Sequence, residues 1–174
     1  DISNPDYPAS ILYTASNLNR DDDGRDLILN HIDPQINPEF KRTMLTQNDD
    51  IGNSHDIPFN ALSDNYGLIF SENHGAYHLI KPGSGSSSSI YAYEMNQLTA
   101  VDPAVWYMAS CSTNDIVKRS VSETYLRSAH GGVAYIGNSS YEYPFSGIYL
   151  QKEFFNQIFS QGNNQLAHAH YLSR

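Results

Sequence analysis

Cysteine is almost missing from this chain: one residue, Cys111, in 174. A lone cysteine excludes an intrachain disulfide framework, so cysteine pairing reports neither on stability nor on compartment. Basic residues are also scarce, with 10 Lys and Arg against 19 Asp and Glu and a net charge of -9. Nucleic acids and anionic membranes are held by clusters of Lys and Arg, which excludes both partners here and suits cationic substrates better. No apolar run approaches the roughly 20 residues that cross a bilayer, so no transmembrane segment is expected. No secretory leader pattern opens the sequence. Asp1 stands where an initiator Met would be. We therefore expect a single domain over residues 1–174, a fragment or processed part of a larger precursor whose other domains are its partners.

What is present is a set of short apolar runs bounded by turn formers. Ser10 to Ala15 reads as a first strand. Gly67-Leu68-Ile69-Phe70-Ser71-Glu72-Asn73-His74-Gly75 and Ala104-Val105-Trp106-Tyr107-Met108-Ala109-Ser110-Cys111 read as two buried strands, and Gly131 to Gly137 as another. Runs of this length, rich in β-branched and aromatic residues, fit strands covered on both faces. Helices are expected over Arg25 to Ile32, before Pro34, and over Gly147 to Phe159. Apolar residues at Ile116, Val117, Val121, Tyr125 and Leu126 predict a further helix over Asn114 to Ser128. Shorter elements are expected at Arg42 to Leu45 (strand), Pro58 to Leu62 and Tyr93 to Leu98 (helical turns). Pro82-Gly83-Ser84-Gly85-Ser86-Ser87-Ser88-Ser89 reads as a flexible surface loop, either a connector or a mobile wall of a cleft. Strands alternating with helices give an α/β fold with a mostly parallel sheet.

Two of the apolar runs end on reactive side chains, His74 and Cys111. Ligands of open α/β sheets bind outside the carboxyl ends of the strands. Neighbouring strands would thus bring an imidazole and a thiol to one crevice, the minimum for thiolate catalysis. His78, four residues after His74, reads as an exposed loop residue or a substrate-side group; His168 and His170 have no such context, and His168-Ala169-His170 is too short a tract for a metal site.

Asn73-His74-Gly75, Ala109-Ser110-Cys111-Ser112 and Gly131-Gly132-Val133-Ala134-Tyr135-Ile136-Gly137-Asn138, in this order, resemble the gingipain family of cysteine peptidases in the caspase-like group. The resemblance runs from about Ile11 to Phe159. It implies a three-layer caspase/gingipain-like fold and an endopeptidase with a Cys-His acyl-enzyme mechanism. Cys111 is then the nucleophile and His74 the base, later the acid for the leaving amine. Gly75 lacks a Cβ that would obstruct approach to the oxyanion, and the N–H groups of Gly75 and Cys111 are the candidate oxyanion hole. A helix starting near Asn114 would favour the thiolate.

Some family members carry an acidic third residue after the first strand. Here the matching stretch is Ala15-Ser16-Asn17-Leu18, so Asn17 orients the imidazole or the site is a dyad. By the same resemblance Asp26 lies near the position of a carboxylate that binds Arg in the S1 pocket. It reads equally as a first-turn helix carboxylate. Tyr141, Tyr143 and Phe145 match a hydrophobic flap over S1, which suggests preference for Arg or Lys at P1. Asn19, Asp21 and Asp23 alternate before Gly24 as in half a calcium loop, with Asn30 in place of the closing Glu. Structural Ca2+ or a solvated acidic turn both fit; no other cofactor is expected. The expected protein is thus a secreted or cell-surface cysteine endopeptidase acting on polypeptides. A transpeptidase or processing peptidase of a secretion system, an internally cleaved caspase-like enzyme and a non-catalytic calcium-binding scaffold are the alternatives.

Overall fold

The structure, a computed structural model, describes residues 9–19 and 22–174, with the side chains of residues 145 and 146 outside that description. Chain order runs β1 (Ser10–Ala15), α1 (Gly24–Leu27), β2 (Lys41–Thr46), α2 (Asp56–Leu62), β3 (Leu68–Glu72), β4 (His74–Ala76), β5 (Leu79–Lys81), β6 (Ile90–Tyr91), β7 (Val105–Ala109), α3 (Val121–Arg127), β8 (Ala134–Gly137), α4 (Pro144–Phe159) and α5 (Leu166–Leu172). Five strands form one sheet in the order β2-β1-β3-β7-β8. Every pairing in it is parallel. The remaining three make a small antiparallel sheet, β4-β5-β6.

The strand period of two divides the apolar residues between two cores. Ile11, Tyr13, Ala15, Phe70, Tyr107 and Ala109 face Ile28, Ile32, Ile148, Phe154 and Phe155 on one side. Leu12, Ile69, Trp106 and Met108 face Leu62, Ile80, Met95, Val121 and Tyr125 on the other. The sheet is therefore the middle of three layers, with α1, α4 and α5 on one face and α2, α3 and the small sheet on the other. β1 is buried at every residue, as expected of a central parallel strand covered twice.

Several elements differ from the sequence reading. Only the second half of 114–128 is helical. Ser120 accepts the Glu123 N–H as the N-cap of α3, and the Asp115 carboxylate takes the Val117 and Lys118 N–H groups into a turn instead. Ile116 and Val117, read as one helical face, are 86% and 88% exposed. The first helix is a four-residue α1 capped by Asp23, widening into a π turn over Ile28–Ile32. The Ser/Gly segment is not a free loop: Ser84 and Ser87 bind the 52–53 main chain and Ser88 is buried. It does not line the site described below. Among the described residues no helix is long and apolar enough to cross a membrane.

Candidate active site

β3 and β7 are adjacent, and Glu72 pairs with Ala109 at their carboxyl ends. His74 and Cys111 each stand two positions beyond this pair, so the register puts them at equivalent places just past the ends of neighbouring strands. Both line one cleft of about 210 Å³ with Leu18, Asn19, Glu72, Asn73, Ala109, Ser110, Glu142 and Pro144.

The floor beneath His74 is a buried polar chain. Asn73 Nδ2 donates to Thr14 Oγ1 at 2.8 Å, and the Thr14 hydroxyl donates to Ser71 Oγ at 2.8 Å. Ser71 Oγ also accepts from Trp106 Nε1 at 2.9 Å. Buried bonds of this kind fix geometry, because each lost partner leaves a desolvated group behind, although Asn73 Oδ1 is itself buried without a partner. Above it, the His74 N–H donates to Ser16 Oγ at 3.2 Å. The ring Nε2 lies 3.0 Å from the Asn17 carbonyl oxygen. A carbonyl only accepts, so Nε2 carries the proton and Nδ1 is left to exchange one.

This alters the expectation for Asn17. Its side-chain amide is paired with Asn48, at 3.2 and 3.1 Å in the two directions. The contact to His74 is made by its main-chain carbonyl. The reason for glycine at position 75 also differs. A Cβ there would stand 2.2 Å from Ser110 Oγ and 2.8 Å from Thr113 Cγ2. The space is filled by the segment that carries Cys111.

Cys111 is half-buried. The next residue, Ser112, has φ of 54° and is the only non-glycine in the left-handed region among the described residues. Such a residue costs about 1–2 kcal/mol and persists where its surroundings hold it. Here the Ser112 N–H is anchored to Ser140 O at 2.8 Å. No helix begins at Asn114, so the expected helix N-terminus beside the thiol is replaced by this turn.

The segment 138–142 closes over Cys111. The Glu142 N–H donates to Cys111 Sγ at 3.4 Å, and the thiol lies 3.7 Å from Glu142 O. The Glu142 carboxyl accepts from Asn138 Nδ2 at 2.5 Å and from Gln151 Nε2 at 2.8 Å. Burial pushes this carboxyl up to about 7, against the opposing pull of those two amides. Glu72, 2% exposed, is raised well above the carboxylate range by burial and then by the charge of Glu142. Its Oε2 is buried without a hydrogen-bond partner. Neither glutamate was singled out in the sequence. For Glu72 a signal existed, an acid at the end of a run otherwise fit for burial; for Glu142 there was none beyond its aromatic neighbours.

Asp26 is exposed in the first turn of α1 and is not among the residues lining the cleft. Tyr143 is 74% exposed at the N-cap position of α4, between the lining residues Glu142 and Pro144. The Phe145 side chain and Asp21 lie outside the described residues. Asp23 uses its carboxylate to cap α1 through the Arg25 N–H at 2.9 Å. Asn19 pairs with Asp22 through both its amide nitrogen and its oxygen. Among the described residues no group of three His, Cys, Asp or Glu side chains is arranged to hold a metal ion. Of the two described donors, the Asp23 carboxylate caps α1 and the Asn19 oxygen accepts the Asp22 N–H.

Comparison with known proteins fits this geometry. A family model described as peptidase family C25 matches residues 7–174. No curated protein matches the sequence. Among solved structures, the Arg-specific cysteine proteinase gingipain R (RgpB) is 15% identical with a TM-score of 0.66, over 90% of this chain and 38% of that one. A structure described only as a protease is 13% identical with a TM-score of 0.74, over 99% and 42%. The complex of the pro- and mature domains of Porphyromonas gingivalis RgpB gives 15%, 0.62, 88% and 37%. Likeness at these identities establishes a gingipain-like fold. The chain spans about two fifths of the length of each structure it matches.

Proposed function

Because this chain belongs to peptidase family C25, we propose that it carries the catalytic part of a cysteine endopeptidase with Cys111 and His74 as its working pair. The observation that carries the reading is their equivalent placement past the Glu72–Ala109 pair, facing one cleft. The Cys111 thiol gives its proton to His74 Nδ1, and the thiolate attacks the scissile carbonyl carbon. As the tetrahedral adduct collapses, the C–N bond breaks and the imidazolium returns the proton to the leaving amine. Water then cleaves the thioester, with His74 taking its proton. The N–H groups of Gly75 and Cys111 are the proposed donors to the oxyanion.

The substrate is a polypeptide, and we infer preference for Arg or Lys at P1. Glu72, rather than the exposed Asp26, is the carboxyl suited to this: it lines the cleft and has an unpartnered oxygen, and a guanidinium brought beside it would offset the burial that favours its protonated form. A charge-assisted bond to a guanidinium contributes roughly 1.5–3 kcal/mol, at least tenfold in specificity. A precursor with a pro-domain and a secreted or surface location are carried over from the RgpB complex and the family as part of this proposal.

Cys111→Ala and His74→Ala should each reduce peptide hydrolysis to background with the circular dichroism spectrum unchanged. Substantial turnover by either variant would overturn the pair. A P1-positional peptide library tests specificity, and an added amine nucleophile separates hydrolase from transpeptidase by its products. For the scaffold alternative, iodoacetamide labelling and the thermal midpoint in millimolar calcium against chelator are the tests. An unreactive Cys111 with a calcium-raised midpoint would favour the scaffold.

A further inference from the structure

The side chain of Glu142 takes no part in the chemistry above, yet both of its oxygens are gripped. Asn138, at the far end of the segment, and Gln151, on α4, each grip one of its two oxygens. Asn138 Nδ2 also donates to Ser110 O at 3.2 Å, tying the same grip to the residue before the thiol. Gly147 leaves the room: a Cβ there would lie 2.4 Å from Glu142 Oε1. Two main-chain bonds, Ser112 N–H to Ser140 O at 2.8 Å and Asn114 N–H to Asn138 O at 3.0 Å, lock the two segments together. At the centre of this clamp the Glu142 N–H meets Cys111 Sγ.

We propose that Glu142 is a positioning residue, whose gripped carboxyl sets the 138–142 segment so that its own main-chain N–H orients the Cys111 sulfur in the cleft. The inference rests on Cys111 being the nucleophile. Both grips come from amide N–H donors, so the ionised carboxyl, which only accepts, satisfies both, while the protonated acid turns one oxygen into a donor. The clamp is therefore firm above about pH 7 and loosens below it. The titratable groups that face Glu142 are Glu72 from β3, Tyr107 from β7, and Cys111 and His74 in the shared cleft.

The test compares wild type with Glu142→Ala, Glu142→Gln and Gln151→Ala, reading kcat and KM on the preferred library peptide and the rate of Cys111 alkylation by iodoacetamide from pH 5 to 9. With a single cysteine the alkylated site is unambiguous. We expect kcat to fall about tenfold or more in Glu142→Ala and about threefold in Gln151→Ala, with KM within about twofold, as for loss of alignment rather than of binding. Glu142→Gln, whose amide carries a donor at every pH as the protonated acid does, should show above pH 8 the lowered kcat that wild type shows below about pH 7, and lose the step near pH 7 from both profiles. Gln151→Ala removes a single grip and serves if Glu142→Ala fails to fold. Alkylation profiles of wild type and Glu142→Gln that coincide, or full kcat in Glu142→Ala, would overturn the role. Turnover in Cys111→Ala would instead sink the Cys-His reading, while the alkylation comparison still judges the clamp.

Discussion

Replacing Glu142 with Gln should make the protein more stable at alkaline pH and leave it little changed at acid pH. The carboxyl is raised from 4.5 to about 7 by burial. The folded chain therefore binds a proton between those values that the unfolded chain has released. Stability from this group is fully present below about pH 4.5 and is lost as pH rises through about 7. The displacement corresponds to at most roughly 3 kcal/mol at pH 8, the cost of keeping a charge in the clamp. Gln has no charge to desolvate, but its amide meets the N–H donors of Asn138 and Gln151 and gives back about 1 kcal/mol. A net gain of roughly 1–2 kcal/mol raises the midpoint of a chain this size by about 2–8 °C. Glu72 adds to the effect, since the charge of Glu142 is one of the causes that raise it. Scanning calorimetry of both proteins at fixed ionic strength, from pH 4.5 to 8.5, gives the difference in midpoint directly, and groups unaffected by the substitution cancel. The difference should be near zero or slightly negative at pH 4.5 and climb by several degrees by pH 8. A flat difference across that range, or one that falls with pH, would refute the argument.

Other outcomes follow from the same geometry. Gly75→Ala forces a Cβ to 2.2 Å from Ser110 Oγ; chemical denaturation should show a loss of about 1–3 kcal/mol, and the displaced Cys111 segment a fall in kcat. Asn17→Ala should keep kcat within about threefold, because the His74 ring is held by the main-chain carbonyl; a loss of about a hundredfold would restore a role for the amide. Glu72→Gln should lower kcat/KM for Arg peptides at least about tenfold more than for neutral ones, whereas Asp26→Asn should not discriminate; the reverse pattern would return the pocket to Asp26. Trp106→Phe removes the buried bond to Ser71 Oγ and should cost about 2–4 kcal/mol in thermal or denaturant unfolding.

The strands that position the site were legible for a definite reason. β1, β3 and β7 are covered on both faces, so each reads as an unbroken apolar run, and their ends announce where a ligand would lie. The pairing of His74 with Cys111 across two such ends needs only that β3 and β7 be neighbours. Strands of two and three residues carry no period, which is why the β4-β5-β6 sheet left no trace in the sequence. Ile116 and Val117 fitted a helical stripe because spacing cannot register that Asp115 and Ser120 cap separate turns. Composition misled in the 82–89 segment, where serines that signal flexibility are in fact hydrogen-bond donors to a neighbouring turn.

Glu142 marks a different kind of limit. As a letter between Tyr141 and Tyr143 it looks like a solvated surface acid. Its character comes from Asn138, Gln151, Gly147, Glu72 and Tyr107, which meet only once β3, β7 and α4 have assembled. Burial and the convergence of partners from distant elements are properties of the fold and have no local signature. The proposed catalytic pair can be found from sequence because both residues stand just past strand ends. The segment that meets Cys111 comes from wherever packing brings it, and here it arrives about 30 residues later, by way of α3 and β8. If the clamp fails its test, the strand-end pair still stands, since its placement depends on the β3–β7 register alone.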